Sequence, residues 1–316
     1  MKRMLLVAFT LALLLAMATP WSAFAGESES SKTARIILLT GYRTDDLNWN
    51  ISGNINGVSP NILSELAWDD LDVWQLKAEG SLDIANDIFT WFNFYLKGAA
   101  GYGWIVDGRN RDSDYGADNR SNEVSRSIND ADDGNVLDLS IAIGPHFSSN
   151  DGHWSIIPLM GYSYHEQNLT ITDGQQIIPP LGPFDGLKST YETEWSGPWL
   201  GADIAYLPVS KWTFTTSIEY HWADYSAEAD WNLRDDFKHS KSFEHKADGD
   251  GWVTGIGLNY ALNKQLSVGL SGDYLSWKTD PGISRFYLAN GAIVETRLNE
   301  VNWESTSLSV NFDWVF

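Results

Sequence analysis

From Leu308 to Phe316 the chain alternates without a break. Leu308, Val310, Phe312, Trp314 and Phe316 fall on one side of a period-two pattern, and Ser307, Ser309, Asn311, Asp313 and Val315 on the other. Side chains of a strand point alternately to its two faces, so this stretch predicts a strand with one greasy face and one mostly polar face. A strand at a terminus frays unless neighbours hold it. Upstream, the same reading predicts strands over 35–49, 63–84, 89–106, 136–147, 154–172, 190–207, 212–230, 251–260 and 266–277, with the last within 299–316. The connections alternate too. Long polar ones are expected at 52–60, 107–134, 173–186, 231–250 and 280–297, and compact turns at 85–87, 148–152, 208–210 and 262–264.

An even strand number, with short turns at one end and long loops at the other, is the plan of a membrane barrel. Soluble strands run to about 5–6 residues, and a tilted membrane crossing needs about 9–11. Most of the segments here exceed both, so the surplus is expected to stand above the membrane. The expectation is an all-β fold: a ten-stranded antiparallel transmembrane β-barrel with long extracellular loops and short periplasmic turns. In a barrel of about eight strands side chains fill the interior, and ten strands leave little more room, which argues against a wide diffusion pore. No repeat beyond the hairpin rhythm and no linker to a second domain is evident.

Composition sharpens this picture. Lys2 and Arg3, the apolar run 4–17 and Ala23-Phe24-Ala25 read as a signal peptide over 1–25, leaving 26–316 as one exported domain. There is no cysteine, so stability has to come from a core or a membrane rather than from disulfides. After Gly26 no apolar run approaches the roughly 20 residues of a spanning helix. The formal net charge of −21 argues against nucleic acid as a partner. The 16 tryptophans and 13 tyrosines suit the aromatic girdles of a barrel at the membrane–water boundary.

The terminal aromatic strand resembles the last strand of bacterial outer-membrane barrels. Within that class the chain is similar to the omptins, outer-membrane surface proteases of Gram-negative bacteria. Gly98-Ala99-Ala100-Gly101, Leu159-Met160-Gly161-Tyr162 and Glu219-Tyr220 resemble the family's third, fifth and seventh strands. Asp112-Ser113-Asp114-Tyr115 matches its Asp-x-Asp-aromatic motif, and counting from Tyr220 puts Asp230 at its second aspartate. The resemblance implies a surface endopeptidase scaffold with Asp112, Asp114, Asp230 and position 232 as the site, acting on basic peptides without a cofactor or metal. The chain departs from the family at position 232, where Asn232 replaces a histidine. An imidazole can accept a proton near neutrality and an amide cannot, so the expected general base is missing. The three carboxylates could still share protons as an aspartic dyad does.

His239 and His245 lie in the same loop as possible substitutes, though solvated loop histidines are the plainer reading. Period two places Glu219 and His221 together in the lumen, as an ion pair. Strict parity would aim Asp230 outward, so a bulge has to intervene for the site to form. The resemblance also implies arginines for lipopolysaccharide phosphate, but Glu166 and Glu194 stand at those positions, with the charge reversed. Asp130-Ala131-Asp132-Asp133-Gly134 opens like a calcium loop but has Ile141 where a glutamate is needed. Asp248-Gly249-Asp250-Gly251 reads as turn chemistry. Asp107, Asp112, Asp114, Asp118 and Glu123 would steer cationic peptides. The rival reading is a non-catalytic barrel that binds cationic peptides or surfaces through its loops. The expected partners are outer-membrane lipid, through a lipopolysaccharide contact, and a basic peptide or protein, with the barrel a monomer.

Overall fold

The computed structural model describes residues 32–85 and 92–316. The expected signal peptide, most of the turn expected at 85–87 and Phe89 at the start of the third expected strand lie outside them. Twelve strands form one antiparallel sheet: β1 (Lys32–Ile51), β2 (Ser64–Ile84), β3 (Asn93–Ala117), β4 (Ser121–Ser148), β5 (Trp154–Ile178), β6 (Gly182–Pro183), β7 (Ser189–Val209), β8 (Trp212–Asp230), β9 (Phe243–Ala261), β10 (Leu266–Thr279), β11 (Gly282–Tyr287) and β12 (Ile293–Val315). Each pairs with its neighbours, and β12 pairs back onto β1 from Arg35↔Val315 to Ile51↔Leu298, so the sheet returns on itself as a ring.

The sequence pattern predicts ten strands. The extra two arise inside stretches expected to be connections. β6 is a two-residue pairing on β5. β11 sits between β9 and β12, the place β10 leaves at Thr279. Pro281 supplies no N–H for a ladder, and the interruption falls there. The stretch 107–134, expected as a loop, is mostly a hairpin, with β3 and β4 paired up to Ala117↔Ser121. Above the belt the inward face of this hairpin is built from polar residues such as buried Asn110 and Asn129, so the hydrophobic alternation vanishes while the backbone ladder continues. Asp248 to Gly251 likewise lie within β9 rather than in a turn.

The alternation is inverted relative to a soluble sheet. On β12, Leu308 is 65% exposed, whereas Asn311 is 3% exposed. Its greasy face is the outer one. Around the ring, exposed Leu38, Leu76, Ile141, Met160, Leu200, Ile218, Ile256 and Leu270 continue this belt. Aromatics border it. Tyr42, Trp74 and Trp104 are cross-strand neighbours on one side. On the other, Trp154 stacks on Tyr206 and Trp212 packs against Tyr260. From Trp212 to Trp222 on β8 the belt spans about 24 Å, at ~3.4 Å per residue and ~45° tilt, about the apolar height of an outer-membrane barrel.

The interior is layered. Beside the short turns lies a cavity of about 460 Å³ with charged side chains such as Lys77, Glu79 and Lys97 on its walls. Above it Arg43 bridges Asp45 and Asp138, each at 2.6 Å, and His165 Nδ1 lies 2.7 Å from Asp138. Over this layer stand Trp195, Trp277 and Trp303, with ring centroids 5.6–6.2 Å apart. Trp49, Trp68, Tyr191, Tyr225 and Phe243 fill the space beyond. The ring is plugged.

Two outcomes follow. Leu270, 54% exposed on the belt, should not tolerate charge: Leu270→Arg is expected to cost about 2–4 kcal/mol of folding stability in bilayers, against about 0.5 kcal/mol for a surface change in a soluble protein. Equilibrium folding into vesicles would measure it. Planar-bilayer recordings of the wild type should show no open-pore conductance, because the tryptophan layer closes the interior.

Candidate functional site

Above the belt, β3 pairs with β2 through Leu66↔Asp112 and Ser64↔Asp114. Cross-strand partners share a face, and Leu66 belongs to the interior core, so both aspartates face inward at the outer end of the ring. Both are half-buried. The Trp231 side chain hydrogen-bonds Asp112, and that of Ser64 hydrogen-bonds Asp114. Burial, reinforced by the charge of Asp114, pushes the Asp112 carboxyl up to about 7. Burial raises Asp114 too, while Ser64 and the Arg234 guanidinium oppose the rise. Two coupled carboxyls held up in this way keep a proton between them into the neutral range.

The other two expected site residues do not join them. Along β8, Ala227 and Ala229 are buried and Glu228 is exposed, which puts Asp230 on the outer face. The register from Asp224 to Ala229 runs without a shift on the β9 side, and on the β7 side from Asp224 to Asp230. The bulge that the site requires is absent. Asp230 Oδ1 lies instead 3.2 Å from His239 Nδ1, the two side chains being 33% and 47% exposed. Asn232 Oδ1 accepts from the Lys188 N–H at 2.8 Å and the Ser189 hydroxyl at 3.1 Å, and its Nδ2 donates to the Gly186 carbonyl at 2.7 Å. Its amide ties two loops together.

His245 faces inward but cannot serve as a solvent base. It is fully buried, its Nδ1 2.9 Å from the Tyr191 hydroxyl and its ring edge-on to Trp49. Burial depresses it to about 3, so it stays neutral. No alternation or motif in the sequence points to Trp231 and Arg234, the groups that do meet the aspartates. They follow the end of β8, where period two no longer reports direction.

In the lumen, His221 Nε2 lies 3.0 Å from Glu219 Oε2 and its Nδ1 3.1 Å from the Ser163 hydroxyl, with Trp199 stacked on the ring. On the outer wall, Glu166 and Glu194 are cross-strand neighbours. Glu166 is buried, accepting from the Tyr164 hydroxyl at 2.6 Å and Asn168 Nδ2 at 2.7 Å. Four arginines, Arg109, Arg111, Arg120 and Arg126, interleave with the acids of the β3–β4 hairpin, and Arg126 holds Glu123. That hairpin is less acidic in effect than its aspartates suggest. Among the described residues no group of three or more His, Asp or Glu could hold a metal ion.

The fold is similar to that of the outer membrane protease OmpT from Escherichia coli, with a TM-score of 0.70 at 13% identity over 93% of this chain and 100% of that one. At that identity the likeness is one of fold alone. The translocator domain of the autotransporter NalP from Neisseria meningitidis matches with a TM-score of 0.36 at 10% identity, covering 98% and 95% of the two chains. The beta domain of the Bordetella autotransporter BrkA matches at 0.37 and 13% identity, covering 90% and 99%. No curated protein matches the sequence. The model of the Pom family, Protochlamydia outer membrane protein, matches residues 37–316. With an outward apolar belt, an inward polar face and that match over nearly the whole described chain, the protein belongs to the Protochlamydia outer membrane protein family of the cell outer membrane.

Proposed function

We propose that this protein is a plugged, non-catalytic outer-membrane barrel that binds cationic peptides or protein surfaces through its acidic outer face. In this reading ten strands form the wall, with β6 an outer-loop strand and β11 the continuation of β10. The observation that carries it is the separation of the expected site. Asp112 and Asp114 face inward under Trp231, whereas Asp230 faces outward and Asn232 is consumed by loop contacts. No histidine reaches the pair as a base. The net charge is displayed instead on the outer wall, where Asp46, Asp69, Asp70, Asp224, Asp248 and Asp280 are exposed around the upper border of the belt. Such a field draws cationic partners by long-range attraction. Buried Glu166 beside Glu194 disfavours direct contact with lipid phosphate, so any lipopolysaccharide contact there would run through divalent cations.

A second reading rests on the aspartate pair itself. A carboxyl held up to about 7 beside a second carboxyl is the arrangement an aspartic hydrolase uses to activate water. An omptin-like endopeptidase working through Asp112 and Asp114 alone would use it.

A fluorogenic peptide with an Arg-Arg or Lys-Arg pair, assayed from about pH 4 to 8 on protein refolded in detergent, separates the two. The expected result is no cleavage by the wild type or by Asn232→His. Wild-type cleavage abolished by Asp112→Ala would replace the binding reading with the hydrolytic one. A fluorescent Lys/Arg-rich peptide should bind the wild type at low salt and lose affinity at ~0.5 M salt, where exposed charges more than a few Å apart are screened.

The pair also sets a pH dependence. The carboxyl of Asp112 titrates near the ordinary aspartate value of 3.8 when unfolded, and burial beside Asp114 pushes it up to about 7 when folded. Between those values the folded state holds the extra proton, so this group's contribution is full below about pH 4 and is lost as pH rises through 7. Unfolding midpoints measured across that range should show the decline, and Asp112→Asn should flatten it.

A further inference from the structure

The charged groups around the cavity beside the short turns are already paired with one another. Asp313 holds Arg35 at 2.7 and 2.6 Å, Glu79 holds Lys77 at 2.7 Å and Asp203 holds Lys97 at 2.8 Å. Asp273 on β10 also faces the charge of Lys77. Nearer the turns, the wall made by β9, β10 and β12 is different. There the lining is neutral, with Asn259 from β9, Ser271 from β10 and Asn311 from β12.

These three groups lack partners. Among the described residues, Asn259 Oδ1, Asn311 Oδ1 and Ser271 Oγ are buried without a hydrogen bond. Asn311 is 3% and Asn259 8% exposed, so both are nine-tenths buried while lining the cavity. They flank one residue, Gly269, as its cross-strand neighbours on either side. Their backbones are thus two strand spacings apart, about 10 Å. Ser271, two residues along β10 from Gly269, is the diagonal neighbour of both, about 7–8 Å from each. The wall is concave inside the ring, so the three side chains converge into the lumen. Gly269 lets the Asn259 amide lie across β10, because a Cβ there would stand 2.2 Å from its Oδ1.

We propose that Asn259, Ser271 and Asn311 bind one neutral, hydroxyl-rich solute of monosaccharide size, in a blind vestibule entered from the periplasmic end. Buried polar groups without partners are unfavourable unless a ligand meets them. A carboxamide and a hydroxyl each donate as well as accept. A sugar hydroxyl does the same, so one solute can answer all three groups without carrying charge. A cationic ligand would have to compete with Arg35, Lys77 or Lys97 for a carboxylate, and an anionic one with Asp313, Glu79 or Asp203 for a base. A neutral solute breaks no pair. Leu39, the cross-strand neighbour of Asn311, lines the same cavity and offers an apolar surface to the C–H face of a sugar ring. The volume of about 460 Å³ falls within the range of small-molecule sites, about 300–1,000 Å³. Entry is from the turn end, where the lining reaches exposed Thr33. The tryptophan layer closes the way upward, so the solute binds and returns without crossing. This site lies below that layer and is separate from the acidic outer face.

The test uses the full mature chain, refolded in a detergent without a sugar headgroup, with folding checked by heat-modifiable gel mobility. Saturation-transfer NMR titrations compare three isosteric probes: glucose, cationic glucosamine and anionic glucuronate. The expected result is saturation of glucose, with weaker signals from the two charged sugars. Affinity for glucose should fall about tenfold in Asn259→Leu and in Asn311→Leu, each of which removes a hydrogen-bonding partner. Wild-type crystals soaked in glucose give an answer that needs no variant, and density should lie between Asn259, Ser271 and Asn311. Absence of both glucose saturation and lumenal density would overturn the proposal. So would a glucose affinity undiminished in both folded variants, or stronger saturation of glucosamine or glucuronate than of glucose.

Discussion

Everything in this molecule depends on the pairing of β12 with β1. A strand facing lipid cannot leave its N–H and C=O groups to water, and a sheet with free edges would expose two rows of them in hydrocarbon. Pairing from Arg35↔Val315 through to Ile51↔Leu298 removes that cost. That pairing also creates an inside. Once the apolar faces of the strands turn to lipid, the residues that would be surface in a soluble sheet become the interior. Arginines, carboxylates, serines and asparagines then have to satisfy one another at close quarters.

The layers of the interior solve that problem in two ways. Within the membrane belt the polar residues form ion pairs around a cavity, as Lys97 does with Asp203 at 2.8 Å. Toward the outer face the chain switches to packed aromatics, beginning with Trp195, Trp277 and Trp303. The Arg43–Asp45–Asp138 layer joins the two regimes: Trp303 Nε1 donates to Asp45 at 3.3 Å, and the Arg43 guanidinium lies 5.4 Å from the centre of the Trp303 ring. A wall of this circumference can be filled by large side chains, and that filling makes the ring a plug rather than a pore.

The same parity that builds the wall decides the chemistry at its outer end. An inward aspartate pair on β3 needs an inward partner from β8, and a strand without a bulge cannot turn Asp230 inward while Ala227 and Ala229 face in. The chain shares its fold with an outer membrane protease, yet the second half of the expected site stands on the other side of the wall.

The alternation in the sequence was sufficient to predict strands along ten stretches of the ring, the short turns near 148–152, 208–210 and 262–264, and which residues share a face. It paired Glu219 with His221 and flagged that Asp230 required a bulge. It was silent where both faces of a strand are polar, which is why the β3–β4 hairpin, with buried Asn110 and Asn129, reads as a loop, and where β11 resumes the path of β10 after Pro281. Period two reports that two faces differ, but not what each face meets. Only the tertiary structure decided that Asn232 fastens loops, that Trp231 covers Asp112 and that aromatics close the interior. Those are contacts between strands far apart in the chain, set by register and closure, and no local pattern encodes them.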